Sequence, residues 1–320
     1  MSLKNGINVL SLCDGISCGK VALERAGIKV DNYFSSEIDE GAIAISDKNH
    51  DGIIRLGDIT KWREWDLPNI DLIISGTPCT GFSRAGKMLN FKDPQSKLFF
   101  EFVDILNDIR KKNPDVLFFL ENVKMKREWR DVISDCLGVK PIEINSKLVS
   151  AQNRERYYWT NIEGVKIPND KDIKLVDILE DIKPDNTFVK HQGIWFDPSI
   201  SEASRNLVKN VDGEIRVSQA VKRGYIVAEN GDGVNLSFPT SKTRRGRVIR
   251  QKSSTLDCAC EICVMHNNVI RRLTIRELER LQTLPCGYTD GFSKQTAQKA
   301  IGNGWTIDVI KHIFSFLPYK

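Results

Sequence analysis

A doubly wound, mostly parallel α/β sheet, interrupted by a smaller, irregular, β-rich segment, is the fold class that this 320-residue sequence predicts. Three observations carry the expectation. From residue 1 to about 163, short apolar runs alternate with stretches of helical period, the text of successive strand–helix units. After Gly164 the sequence becomes loop-rich, with Pro, Gly, Asp and Ser throughout, as far as Asn268. Helical text returns at Leu273 to Leu284. One domain is therefore expected from 1–163 together with 269–320, and a second from 164–268.

In order, Ile7 to Cys13 reads as a buried strand, followed by a turn rich in Gly and Ser. A helix then runs from Cys18 to Ala26 and closes at Gly27. Asn32 to Ser36 predicts a second strand, Glu40 to Lys48 a second helix, and Ile70 to Ser75 a further strand. Gln95 to Lys112 predicts a long amphipathic helix with Leu98, Phe99, Phe102, Ile105, Leu106 and Ile109 on one face. Val116 to Leu120 holds no polar residue, as expected of a strand in the middle of a parallel sheet. Leu273 to Leu284 reads as a helix ending before Pro285, and a last helix is expected from about Thr306 to Phe316.

No apolar run reaches the ~18 residues of a membrane span. The N-terminus has no apolar core of signal-peptide length, so no targeting segment is expected and the cytoplasm is the expected location. A chain of this size needs no covalent staples, so the eight cysteines are expected to be reduced thiols. The net charge of +5 is mildly basic. Its distribution says more: Lys242, Arg244, Arg245, Arg247, Arg250 and Lys252 lie within one stretch that contains no acid. Such a stripe suits a phosphate backbone; a solvated loop is the plainer alternative.

Chemistry-bearing residues gather at the ends of predicted strands, where open α/β proteins bind ligands. The first strand leads into Cys13-Asp14-Gly15-Ile16-Ser17-Cys18-Gly19, a turn that lets a ligand approach the backbone. Glu37 ends the second strand, where a carboxylate accepts ribose hydroxyls, and Asp58 follows the third, within reach of an adenine amine. No Gly-Lys-Ser/Thr phosphate loop occurs, which disfavours ATP. Gly76-Thr77-Pro78-Cys79 follows the strand ending at Ser75; the proline stops the strand and presents the thiol at the sheet edge. That thiol must ionise before it reacts. Glu121 caps the strand ending at Leu120, and partial burial is expected to raise its pKa and let it, held protonated, donate a hydrogen bond. Arg154 and Arg156, two apart in an expected strand, would share one face beside the cysteine and the glutamate.

The order of these pieces resembles the DNA cytosine-5 methyltransferases over most of the chain outside the irregular segment. The glycine turn at 14–19, Ser36-Glu37, Asp58-Ile59, Pro78-Cys79, Glu121-Asn122-Val123, Gln152-Asn-Arg154-Glu-Arg156, Arg272-Leu-Thr-x-x-Glu277, Arg280-Leu-Gln282 with Pro285, and Gly302-Asn303 appear in family order. Residues 86–100 look like the family's catalytic loop and the helix after it. There are departures: Cys13 stands for a Phe, Thr77 and Thr80 flank the Pro-Cys pair, and Gly302-Asn303-Gly304-Trp305 replaces Gly-Asn-Ser-Val. The glycine turn and Trp305 look more like the vertebrate de novo branch.

What the resemblance implies is an S-adenosyl-L-methionine-dependent methyltransferase fold with 164–268 as a target recognition domain. It implies Cys79, Glu121, Arg154 and Arg156 as the catalytic group. Cys79 adds to cytosine C6, Glu121 bonds N3 and the exocyclic amine, Arg156 holds O2, and Arg154 holds a phosphate or the loop. It implies Asp14, Gly15, Ile16, Ser17, Gly19, Glu37, Ile38, Asp58, Ile59, Pro78, Asn303, Gly304 and Trp305 around S-adenosyl-L-methionine. It implies Ser83, Lys87, Gln152, Lys242, Arg244, Arg245, Arg247 and Arg250 against double-stranded DNA. A monomer with no membrane association is expected. The target cytosine must leave the duplex.

A transfer RNA cytosine-5 methyltransferase would share this chemistry, and a DNA-binding relative without turnover would share the fold. A dinucleotide-dependent oxidoreductase has no use for the Pro-Cys, Glu-Asn-Val and Arg-x-Arg set. Cys258, Cys260, Cys263 and His266 have a partial zinc-ligand spacing, but Thr255 to Met265 alternates like a strand, so no metal is expected.

Overall fold

The computed structural model describes residues 6–77 and 97–319. It divides into two compact units, one of Met1–Asn145, Glu155–Pro168 and Gly304–Lys320, the other of Ser146–Arg154 and Asn169–Asn303.

The first unit begins β1 (Ile7–Leu12), α1 (Cys18–Arg25), β2 (Val30–Ser36), α2 (Glu40–Asn49), β3 (Ile53–Arg55) and β4 (Leu72–Ser75). It continues with α3 (Lys97–Lys112), β5 (Leu117–Val123), α4 (Arg127–Leu137), β6 (Ile142–Asn145) and β7 (Glu155–Thr160). The seven strands form one sheet in the order β3-β2-β1-β4-β5-β7-β6. β1 pairs in parallel with both β2 and β4, and the sheet stays parallel to β5. β7 runs antiparallel to β5 and to β6. Strand order reverses between β1 and β4, and at such a switch point the loops after the two strands diverge and leave a crevice at the carboxyl edge.

The core follows the sequence pattern. α3 buries Phe99, Phe102, Ile105, Leu106 and Ile109 against β4 and β5, whose Ile73, Phe118 and Leu120 join the same cluster. α4 was not anticipated, although Trp129, Ile133 and Leu137 recur every fourth residue and Gly138 closes it with φ 72°. β5 also runs on through Glu121, Asn122 and Val123 instead of ending at Leu120. The reason is β7, which supplies ladder partners for all three: Tyr158, Tyr157 and Arg156.

The second unit contains β8 (Val189–His191), β9 (Ile194–Phe196), α5 (Glu202–Arg205), β10 (Val208–Val211), β11 (Glu214–Ser218), β12 (Tyr225–Ala228) and β13 (Asp232–Asn235). β14 (Arg247–Ile249), β15 (Cys263–His266), β16 (Val269–Arg272), α6 (Ile275–Leu281) and α7 (Lys294–Asn303) complete it. A three-stranded sheet β10-β11-β12 and a six-stranded sheet β14-β13-β15-β16-β9-β8 share one apolar core that includes Phe196, Val208, Val217, Val234 and Ile270. The strand expected over Thr255 to Met265 is confined to Cys263–His266. The segment before it turns at Asp257, whose side chain accepts the Ala259 and Cys260 N–H groups. α6 opens with a reciprocal capping box of Thr274 and Glu277, and Glu277 also forms a fully buried pair with Arg271 at 2.7 Å. α8 (Ile307–Phe314) returns to the first unit and packs on α1. Among the described residues, no helix is long and apolar enough to cross a membrane.

Candidate active site

At the carboxyl end of β1 the chain adopts left-handed conformations at Cys13 (φ 53°), Gly15 (φ 56°) and Ser17 (φ 57°). Two of these are not glycine, and backbone of this kind persists only where its surroundings over-determine it. Asp14 supplies that. Its buried carboxylate accepts Ser11 Oγ and Tyr33 OH (2.7 Å) on one oxygen, and Ser17 Oγ (2.6 Å) and Ser35 Oγ (2.8 Å) on the other. Arg55 extends the network by donating to Ser35 and Ser46. Four donors fill the four acceptor positions of a carboxylate. Asp14 thus builds the turn from beneath, and Ile16 and Gly19 are buried with it.

Glu37 faces the turn from the end of β2. One carboxylate oxygen accepts the Ile38 and Asp39 N–H groups at 2.8 and 2.9 Å, and the other accepts Gly15 N–H at 2.8 Å. One acceptor position is left for a ligand. Beside it Ile38 is 70% exposed, an unusual position for a large apolar side chain, while Ile59 is buried. Asp58 caps the short helix after β3 by accepting Thr60 N–H.

One strand over, β4 brings Ser75 beside Leu120, so Gly76 stands abreast of Glu121. Glu121 is 8% exposed. Arg156 Nε lies 2.8 Å from one of its oxygens, and Trp305 Nε1 donates to the other at 3.1 Å. Trp305 is itself buried, edge-on to Phe119 with centroids 5.3 Å apart. Its indole also explains Gly76: a Cβ there would stand 2.7 Å from Trp305 Nε1. Asn122 donates to the carbonyl and hydroxyl of Thr77 at 3.4 Å, tethering the chain just before Pro78. Pro78, Cys79, Ser83 and Lys87 lie outside the described residues.

Arg154, Gln152 and Asn303 have their partners inside the second unit. Only Arg156 lies in β7; Arg154 precedes that strand, is 4% exposed, and donates to the carbonyls of Leu256 and Gly302 at 3.0 and 3.4 Å. The shared strand face expected for the two arginines is therefore absent. Gln152 is fully buried, with its amide bonded to Leu281 O, Gln282 Oε1 and Leu256 N–H. Asn303 accepts the Cys258 thiol at 3.0 Å. The Cys260 thiol bonds the carbonyls of Asp257 and Gln298, so Cys258 and Cys260 turn to separate partners. None of the seven described cysteines is in a disulfide.

The Asp14 network supports a first prediction. Asp14→Ala leaves Ser11, Ser17, Tyr33 and Ser35 without their common acceptor, and should lower unfolding stability by roughly 3 kcal/mol in denaturant titration. Asp14→Asn, with an acceptor at one atom only, should recover less than half of that loss. A change below ~1 kcal/mol in the alanine variant would show the turn to be held by something else.

Residues 7–131 and 144–317 match the sequence profile described as C-5 cytosine-specific DNA methylase. The type II methyltransferase M1.ScrFI of Lactococcus lactis subsp. cremoris is 30% identical over 311 residues, covering 89% of this chain and 71% of that protein. The type II methyltransferase M.HhaI of Haemophilus parahaemolyticus is 26% identical over 342 residues, covering 98% and 97%. The crystal structure of S. pombe Dnmt2 methyltransferase has the same fold, with a TM-score of 0.61 over 97% of this chain and 98% of that one, at 15% identity. This chain belongs to the C-5 cytosine-specific DNA methylase family, enzymes that transfer a methyl group from S-adenosyl-L-methionine to C5 of cytosine in DNA.

Proposed function

We propose that this enzyme methylates a cytosine within a short specific sequence of double-stranded DNA, through a covalent bond between Cys79 and C6 of a base swung out of the duplex. The observation that carries the reading is the Glu121 carboxylate, fixed by a different donor on each oxygen at the carboxyl edge of the sheet, abreast of the strand that leads to Cys79. A cytosine edge presents an amine donor to such a group, and N3 becomes a second donor once it is protonated as the thiolate adds at C6.

The residues at the turn fit the methyl donor. Glu37 keeps one acceptor position for a ribose hydroxyl, exposed Ile38 offers an apolar face to a purine, and Asp58 follows β3 on the same edge. Gly15, Ile16, Ser17, Gly19, Ile59, Pro78, Gly304 and Trp305 complete the proposed set in the first unit. Asp14 acts through the turn. When bound, S-adenosyl-L-methionine supplies an electrophilic methyl group. The chain does the rest. The Cys79 thiolate adds to C6, and the ring's electrons move to C5. Glu121 and Arg156 hold the N3, amine and O2 side of the ring. A base then removes the C5 proton, and the C6–sulfur bond breaks to return the thiolate. Flipping the base costs a few kcal/mol, recovered in contacts made only to the extruded base.

Target recognition is proposed for residues 164–268. The enzyme is proposed to act as a monomer in the cytoplasm. Labelled methyl groups should enter duplex DNA and not transfer RNA, and bisulfite sequencing of DNA from expressing cells should find 5-methylcytosine in one recurrent short sequence. Label in transfer RNA alone would favour the alternative substrate; none in either, with folded protein and donor present, would leave a binding protein.

A further inference from the structure

The basic stretch at 242–252 does not act as one stripe. Lys252 Nζ donates to the carbonyls of Lys147, Ser150 and Ile173, and burial there lowers its pKa. Arg250 pairs with the fully buried Asp232 and with Glu229. Both hold the second unit together. Lys242, Arg244 and Arg247 are exposed, and Arg245, half-buried, donates to Lys242 O. None of these four has an ion pair among the described residues.

A second cationic segment joins them. The hairpin between β11 and β12, Gln219-Ala-Val-Lys222-Arg223-Gly224, contains no acid and exposes Lys222 and Arg223. It is locked to the turn before β14. Gln219 Oε1 accepts Val248 N–H at 3.1 Å. Gly246 has φ 51°, and a Cβ there would overlap the Ser218 carbonyl, so the close approach requires glycine. The turn segment from Leu236 to Ile249 also lacks acids. Two acid-free segments distant in sequence thus meet, with Lys222, Arg223, Lys242, Arg244 and Arg247 exposed upon them. Aromatic rings pre-order two of these cations: Arg223 lies 4.4 Å from the Tyr225 ring centroid and Arg244 lies 4.2 Å from that of Phe238, which is 43% exposed. A guanidinium laid flat on a ring loses little further freedom when it grips a phosphate. Other surface cations here, such as Arg216 with Glu214 and Arg272 with Glu261, are neutralised by acids.

We propose that the 219–224 hairpin and the 238–247 turn form one clamp for the phosphate backbone of the target duplex. The clamp rests on the reading that this enzyme acts on duplex DNA and extends it to a segment with no motif of its own. Its contacts hold the duplex without reading bases.

The test is a triple variant, Lys222→Ala, Arg223→Ala and Arg244→Ala, compared with a control of equal charge change, Lys29→Ala, Lys140→Ala and Lys183→Ala. Binding to duplexes with and without the target is measured by fluorescence anisotropy over a range of salt. Each phosphate contact contributes about −0.9 to the slope of log K against log salt, so the clamp variant should flatten the slope by roughly 2.7. Its affinity should fall by a similar factor on both duplexes, while the control keeps the wild-type slope. Unchanged melting and S-adenosyl-L-methionine affinity show the fold to be intact. A wild-type slope in the clamp variant, a loss confined to the target duplex, or an equal flattening in the control overturns the proposal. Wild-type protein that neither binds nor methylates duplex DNA overturns the underlying reading instead.

Discussion

With Cys79 replaced by alanine, methyl transfer to DNA should fall by roughly 10⁴-fold or more, the scale on which loss of a covalent nucleophile acts, while S-adenosyl-L-methionine and DNA affinities stay within a few-fold of wild type. Cytosine C5 is too poor a nucleophile to take the methyl group until a thiolate adds at C6 and pushes electrons toward it. Five of the other thiols offer no substitute. Burial, with the Glu37, Asp14 and Asp58 carboxylates adding to it, pushes the Cys13 thiol up to about 12. Burial likewise pushes Cys260 and Cys263 up to about 12 and raises Cys136 and Cys258. Raised in this way, these five are protonated at neutral pH, and a protonated thiol is not a nucleophile. A duplex carrying 5-fluorocytosine gives a second readout. After methyl transfer C5 bears fluorine where a proton should leave, so elimination stops and the sulfur stays bonded to C6. Wild-type protein should then migrate with the DNA on a denaturing gel, and the alanine variant should not. Full turnover in Cys79→Ser, or a trapped adduct without Cys79, would refute the covalent route.

The parts of this molecule that were legible in the sequence are those written in contiguous residues. The apolar stretch from Leu72 to Ser75 and the periodic face of α3 could be read because burial in a parallel sheet leaves a local pattern. Glu37 and Glu121 could be located because strand ends in such a sheet are where ligands bind. Partnership was less legible. Trp305 stands 184 residues from Glu121, and no local pattern announces a hydrogen bond at that separation. Alternation also misled. Thr255 to Met265 has the period of a strand, but Asp257 satisfies the following backbone N–H groups itself and turns the chain. Gln152, which the resemblance sets against DNA, and Arg154, which it sets in the catalytic group, donate to backbone carbonyls inside the second unit. Charge alone did not separate Arg250 and Lys252 from Arg244 and Arg247; the buried Asp232 and three carbonyls did.

Glu121→Gln should lower kcat by about 10²–10³-fold with little change in KM for DNA, the size of loss seen when one group aimed at developing charge is removed. Two effects add. The amide cannot carry the charge that Arg156 faces at 2.8 Å, which leaves a guanidinium only 12% exposed without its counter-ion. It also presents a single acceptor atom where the carboxylate presents two, so Arg156, Trp305 and a cytosine edge can no longer be satisfied together. Trp305→Phe separates these effects. It keeps the ion pair and most of the packing against Phe119, and removes one hydrogen bond to a charged acceptor. Its expected cost is about tenfold in kcat, equivalent to ~1.4 kcal/mol. Stopped-flow single turnovers on a cognate duplex would resolve the two variants from changes in product release. If Glu121 serves only to hold the sheet edge together, Trp305→Phe and Glu121→Gln should lower melting temperature in proportion to their loss of rate. If it acts on the base, the glutamine variant should lose far more rate than stability, because two donors occupy only two of four acceptor positions and the other two are left for the substrate.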